Sequence, residues 1–284
     1  MIIKYASING ELVPLENASI PIMDIGLLRG YGIFDYLTLR QGKLLFLEDH
    51  LARFQQSAKL MELELPSDSS EIKDQIVALV GANGLLKSGV QLILTGGISE
   101  NNFLPGKANL MLLQSELRHP AAELYEHGVK LIMHKYVREI PGIKTTNYIV
   151  PIRLSKAIKT ANAFDVLYHN GTYISESARS NFFMVNANDE VLTSNLDILK
   201  GITRKNVIAA AKGTFELRET KVSLADLSAA KEAFMTSSTK GVLPVVQIDA
   251  HQIGNGKPGP ITAKIQQLFN QHVNTYLAKQ PVMI

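Results

Sequence analysis

The sequence contains no cysteine, so disulfides, thiolate nucleophiles and Cys-ligated metals are excluded. It has no run approaching the ~20 apolar residues that span a bilayer. Positive charge is scattered, and a net charge of +3 is too small to argue for a nucleic-acid or membrane partner. The seven histidines never fall at a metal spacing such as H-E-x-x-H, so no metal site is expected. Internal repeats and low-complexity tracts are missing. The start, Met1-Ile2-Ile3-Lys4-Tyr5, lacks the long apolar run of a signal peptide, and a cytoplasmic protein is expected.

What is there suits a globular enzyme-sized chain. It has 284 residues, 46% hydrophobic and 19% charged, which points to two domains with substantial cores. Arg118-His119-Pro120-Ala121-Ala122 reads as the linker, because the pattern restarts after it. The expected domains are 1–118 and 119–284. In the first, Asn9-Gly10 turns a hairpin. Three glycines punctuate Asp24 to Asp35, but no strand–glycine–helix unit surrounds them, so a dinucleotide loop is rejected. Phe34 to Arg40 reads as a strand. Leu51, Phe54, Ala58 and Met61 give a helix opened by Glu48 and Asp49. A second helix runs from about Ser69 to Val80. Gly89–Thr95 and Asn109–Gln114 read as strands around a polar loop, Gly96 to Gly106. In the second domain, strands are expected at Val129–Val137, Asp165–Asn170, Thr172–Ser175, Asn181–Val185, Glu190–Thr193, Ala233–Thr236 and Pro244–Ile248. Helices follow Pro151 and Gly201. A last helix, from about Pro260 to Leu277, is expected to bury Ile261, Ile265, Leu268, Val273 and Tyr276.

Two stretches carry chemistry. Ile140-Pro141-Gly142-Ile143-Lys144-Thr145-Thr146-Asn147-Tyr148 offers one lysine in a turn. A lysine held from water loses part of its preference for the charged form and can attack a carbonyl, as pyridoxal phosphate (PLP) enzymes require. Glu176, at the exit of a hairpin, offers a carboxylate for that cofactor's pyridine nitrogen. Other residues are open to two readings. Arg53 is a surface ion pair with Glu48 or Asp49, or an anion anchor. Gly201-Ile202-Thr203 is an ordinary helix start or a phosphate site. Ser237-Ser238-Thr239-Lys240-Gly241 is a plain turn or a second set of phosphate donors.

The order of these motifs resembles the class IV aminotransferases, fold type IV of the PLP enzymes. The likeness covers Asp24 to Asp249. It rests on D-x-G-x-x-x-G-x-G-x-F-D at 24–35, His50-Leu51-Ala52-Arg53, Lys144-Thr145-Thr146-Asn147-Tyr148, Glu176 with Asn181-Phe182-Phe183, Gly201-Ile202-Thr203-Arg204, and Thr236 to Pro244. The resemblance implies an α+β fold: a small N-terminal α/β domain and a larger C-terminal β-barrel-like domain with helices, PLP between them, and a homodimer. It implies Lys144 as the Schiff-base lysine and Glu176 on the pyridine nitrogen. It also implies Arg53, the Ile202 and Thr203 N–H groups and Ser238 on the phosphate, and Tyr148 near the cofactor's phenolic oxygen. Tyr31, Thr38, Arg40, Thr239 and Lys240 are the implied substrate contacts.

The substrate side departs from the two best-known patterns. Glu100-Asn101-Asn102 stands where D-amino acid enzymes carry an R-x-H carboxylate trap, and Gln91 to Thr95 has no arginine of the branched-chain kind. The expectation is an aminotransferase acting on an apolar L-amino acid and a 2-oxo acid such as 2-oxoglutarate. A PLP lyase of the aminodeoxychorismate type, releasing pyruvate, shares the same cofactor residues. A non-catalytic binding protein is the third reading, and the intact Lys144, Glu176 and Arg53 argue against it.

Overall fold

A computed structural model describes residues 3–282, in two compact units. Unit 1 holds the chain up to Arg118, together with Ile143–Asn147 and the residues from Tyr276 onward; unit 2 holds the rest. Among the described residues, no helix is long and apolar enough to cross a membrane.

Unit 1 is built on a six-stranded antiparallel sheet. Its elements in chain order are β1 (Tyr5–Ile8), β2 (Glu11–Pro14), α1 (Ile25–Leu28), β3 (Gly32–Arg40), β4 (Lys43–Leu44), α2 (Leu47–Leu60), α3 (Ser69–Asn83), β5 (Ser88–Thr95) and β6 (Asn109–Glu116). The strand order is β2-β1-β6-β5-β3-β4. Asn9 and Gly10 both take positive φ, the backbone that a two-residue hairpin turn requires. Along β3 the side chains alternate, so Ile33, Leu37 and Leu39 enter a core shared with Leu51, Phe54 and Ala58 of α2 and Ile72, Ile76 and Leu79 of α3. Asp68 and Glu71 close a capping box at the start of α3, and Gly84 at φ 66° ends it. Asp24 is fully buried and accepts from the Gly26 N–H, the Thr95 hydroxyl and the Asn109 amide, each at 2.7 Å. Gly26 is required there, since a Cβ would come within 2.5 Å of the Thr95 methyl.

Unit 2 contains α4 (Ala122–His127), β7 (Val129–Lys135), α5 (Ile149–Thr160), β8 (Asp165–His169), β9 (Tyr173–Ser177), β10 (Ser180–Val185), β11 (Val191–Ser194), α6 (Ile202–Ala211), β12 (Leu217–Thr220), β13 (Val222–Ser223), β14 (Glu232–Ser237), β15 (Gly241–Ile248), β16 (His251–Gln252) and α7 (Pro260–Lys279), whose last residues group with unit 1. Its sheet runs β12-β11-β10-β14-β15-β7-β8-β9-β13, and a further β9–β10 pairing closes six of these strands into a barrel. β10 is buried on both faces, which is why Asn181 to Val185 reads as an almost unbroken apolar run.

The short strands β12, β13 and β16 are not expected from the sequence, and other details differ as well. The linker's last residue begins a helix, α4. The Val129 strand ends at Lys135. The buried seam of α7 is Thr262, Ile265, Phe269 and Val273, not Ile261, Leu268 and Tyr276. Its start is fixed by buried Glu232, whose carboxylate accepts from the N–H groups of Ile261 and Thr262; this rotates Thr262 inward.

Candidate active site

In unit 1 the lysine-bearing segment lies along β3 like an added strand. Phe34 N–H donates to the Lys144 carbonyl at 2.9 Å, Thr146 N–H donates to the Gly32 carbonyl at 3.0 Å, and Ile33 bridges Thr145. This fixes the Lys144 backbone, and the amine stands 4.2 Å from the centre of the Phe34 ring. An aromatic face attracts a cation and packs against the aliphatic stem of a lysine.

Of the two readings of Arg53, the structure removes the surface ion pair. Its partner is neither Glu48 nor Asp49 but Asp35 on β3. Nε reaches Oδ2 and Nη2 reaches Oδ1, both at 2.8 Å, and the His50 ring joins Oδ1 at 2.7 Å. Asp35 is 1% exposed. Burial alone would raise its pKa, but Arg53 and His50 hold it well below the usual carboxylate range. The other candidates in unit 1 are scattered. Tyr31 donates its hydroxyl to the Met61 carbonyl, and burial raises its pKa. Thr38 is buried in the sheet, and Arg40 is half-buried where β3 turns into β4. Thr38 is four residues, roughly 13 Å along a strand, from Phe34.

In unit 2, Glu176 is 5% exposed and gripped from three directions. Arg138 donates from Nε at 3.0 Å and Nη2 at 2.7 Å to Oε1. Asn181 donates to Oε2 at 3.1 Å, and the Leu199 N–H reaches both oxygens. Asn181 also donates to the Leu199 carbonyl, which ties Glu176 to the approach to α6. The start of α6 has the makings of an anion site. No side chain caps it, and Ile202 and Thr203 are both buried. Gly201 must lack a Cβ, which would sit 2.1 Å from Asn181 Oδ1. Tyr148 lies among the charges of Arg138, Glu176, Arg179 and Asp165, and burial raises its pKa.

The turn after β14 carries Ser238, Thr239 and Lys240. Ser238 is half-buried on it. The Lys240 N–H closes the turn onto the Ser237 carbonyl, at 3.2 Å, and the Thr239 carbonyl accepts from His119. The Lys240 side chain runs inward, donates to Ser180 Oγ at 3.1 Å, and has its pKa lowered to about 8 by burial. Sequence reasoning missed Arg138, Asp35 and His50 as partners of the residues it chose.

Taken unit by unit, the residues present suit a phosphorylated pyridine aldehyde: unit 1 holds an amine for the aldehyde, and unit 2 holds a braced carboxylate for the ring nitrogen and an uncapped helix start for the phosphate. The comparisons agree. The amino-transferase class IV model matches residues 32–248. A D-alanine aminotransferase of Listeria monocytogenes serotype 4b (strain F2365) is 31% identical over 277 residues, covering 94% of this chain and 95% of the relative. The structure of a branched-chain amino acid aminotransferase of T.th., solved with pyridoxamine 5'-phosphate, superposes with a TM-score of 0.90 at 24% identity, covering all of both chains. The Escherichia coli branched-chain enzyme gives 0.85 at 24%, covering 96% of this chain and 95% of that one. The α+β fold of the units is theirs, and the chain belongs to the class IV aminotransferases, PLP-dependent enzymes that exchange amino groups between amino and 2-oxo acids.

Proposed function

We propose that this chain moves an amino group between a small, apolar amino acid and a 2-oxo acid such as 2-oxoglutarate, with PLP attached at Lys144. When bound, the cofactor supplies the electron-accepting ring on which amino transfer depends. Lys144 provides the attaching amine and then carries the proton to and from the substrate α-carbon. Glu176 accepts the hydrogen of the ring nitrogen, and Arg138, Asn181 and the Leu199 N–H keep it in place to do so. Arg53, the N–H groups of Ile202 and Thr203 and the Ser238 hydroxyl hold the phosphate. The braced Glu176 is the observation that carries this reading.

For the donor's chirality, the relatives at 28–31% identity favour a D-amino acid, since they are D-alanine aminotransferases by name. The Glu100-Asn101-Asn102 loop favours an L-amino acid as the second reading. Its Asn101 is engaged within the loop, accepting from the Phe103 and Leu104 N–H groups, and neither Arg nor His of a D-type trap is present. A homodimer is part of the proposal. Ile22, Leu27, Ile98, Phe103 and Leu104 of unit 1 are 53–78% exposed. The Ser99 N–H to Met23 carbonyl bond brings their two segments side by side, and exposed apolar groups of this kind are what partners cover.

The test is a panel of D- and L-alanine, leucine, valine and glutamate with 2-oxoglutarate and with pyruvate. Faster turnover of D-alanine than of any L-donor supports the first reading; the reverse supports the second. Pyruvate release from aminodeoxychorismate without amino transfer would replace both with the lyase. Lys144→Ala should abolish visible cofactor absorbance and turnover together. Retained absorbance with a borohydride-trapped adduct on another lysine would reject the Lys144 assignment.

A further inference from the structure

We propose that Asp35, with His50, is the positioning residue that presents Arg53 to the cofactor phosphate, and that this buried carboxylate therefore strengthens the binding of an anion. The inference rests on the reading of Arg53 as a phosphate ligand. Asp35 belongs to the core-facing side of β3, between Ile33 and Leu37, where a carboxylate is costly unless it is fully paired. It is paired on every side: with Arg53 Nε and Nη2, with the His50 ring, and with the Tyr36 N–H at 2.7 Å. His50 and Arg53 are three residues apart on α2 and so share one helix face.

A guanidinium is planar, and two parallel bonds to one carboxylate fix both its plane and its rotation. They engage the Nε–Nη2 edge and leave Nη1 turned away from Asp35. The arginine side chain is 13% exposed, against 1% for the carboxylate. Without Asp35 the guanidinium would have a long, flexible stem and several orientations. Charge alone argues the opposite way, because a negative group this close to Arg53 should repel a phosphate. The two effects therefore predict opposite signs for the same substitution.

The experiment titrates the full chain, stripped of cofactor, with PLP and separately with pyridoxal, which lacks the phosphate. The variants are R53A, D35N, the double D35N/R53A, H50L and H50N. Positioning predicts that D35N raises the Kd for PLP at least tenfold and leaves that for pyridoxal within twofold. It also predicts that D35N has no further effect once Arg53 is absent. An unchanged or tighter PLP Kd in D35N, an equal loss for pyridoxal, or losses that simply add in the double variant would overturn it. If D35N does not fold by circular dichroism, the His50 pair decides. H50L, which removes a ring donor and keeps bulk, should weaken PLP but not pyridoxal, and H50N, whose amide can replace Nδ1, should restore it; equal PLP affinity in H50L and wild type would overturn the proposal. An R53A chain that binds PLP like wild type would reject the phosphate role of Arg53 itself, which is a separate failure.

Discussion

Replacing Arg138 by methionine should destabilise the protein more than replacing Glu176 by glutamine, and the two changes together should cost less than Arg138→Met alone. Arg138 and Glu176 are joined by two N–H···O bonds of 3.0 and 2.7 Å, with side-chain exposures of 20% and 7%. Breaking a buried pair from one side typically costs ~3–5 kcal/mol, because the remaining charge stays buried and uncompensated. The Asn181 and Leu199 donors stay in Arg138→Met, and Arg138 reaches some solvent, so the low end, about 3 kcal/mol, applies. For a domain of 150–250 residues this is a fall in Tm of roughly 6–12 °C. Glu176→Gln strands the more exposed partner, which also donates to the Pro141 carbonyl, so its cost should be nearer 1 kcal/mol. In the double variant no charge is stranded. The assay is thermal unfolding of the four cofactor-free chains, since bound PLP would add stability of its own. A fall of less than 2 °C for Arg138→Met, or a double variant at least as unstable as it, would refute the reasoning.

Two further outcomes are expected. Lys240 ionises at about 8 in the folded chain against 10.5 for a free lysine, because burial disfavours its charge. Between those values the unfolded chain binds more protons than the native one, so wild-type stability should rise with pH through this window. Lys240→Met should therefore be stabilising by at most about 3 kcal/mol at pH 7, with the gain shrinking as pH rises from 8 to 10.5. A gain in urea unfolding that does not change over that window would contradict this. Asp24→Ala should cost about 3 kcal/mol in the same assay, by stranding the Thr95 hydroxyl and the Asn109 amide and removing a helix cap. A loss below 1 kcal/mol would show that these donors find other partners.

Much of the fold was legible because its signals are local. Asn9-Gly10, the 3.6-residue period of α2 and α3, and the Asn83-Gly84 stop each specify their own geometry, and the longer strands of both units stood out as apolar or alternating runs between turns, whereas the short β12, β13 and β16 did not. What was not legible depends on register between distant segments. The seam of α7 is set by Glu232, some 30 residues earlier, and the orientation of Lys240 by the short distance from its turn to Ser180. The motif places Lys240 in the turn after β14 but does not say that its N–H closes that turn onto the Ser237 carbonyl.

The missed site residues share one physical feature that a sequence reading can use. Two of the charged residues chosen from the motifs sit beside an opposite charge that was not chosen, Asp35 for Arg53 and Arg138 for Glu176, and Asp165 acts on buried Lys240. Burial compels this, since a charge withdrawn from water without a counter-charge or donors is too costly to keep. A motif that supplies a buried ion therefore implies a second, hidden ion. Here one such partner stands in a quoted motif and the other close by: Asp35 closes the D-x-G-x-x-x-G-x-G-x-F-D segment, and Arg138 stands six residues before Lys144. Asking of every candidate ion which residue neutralises it would have found both. The same question turns a catalogue of ligands into a testable arrangement, because it predicts that each ligand and its partner fail together.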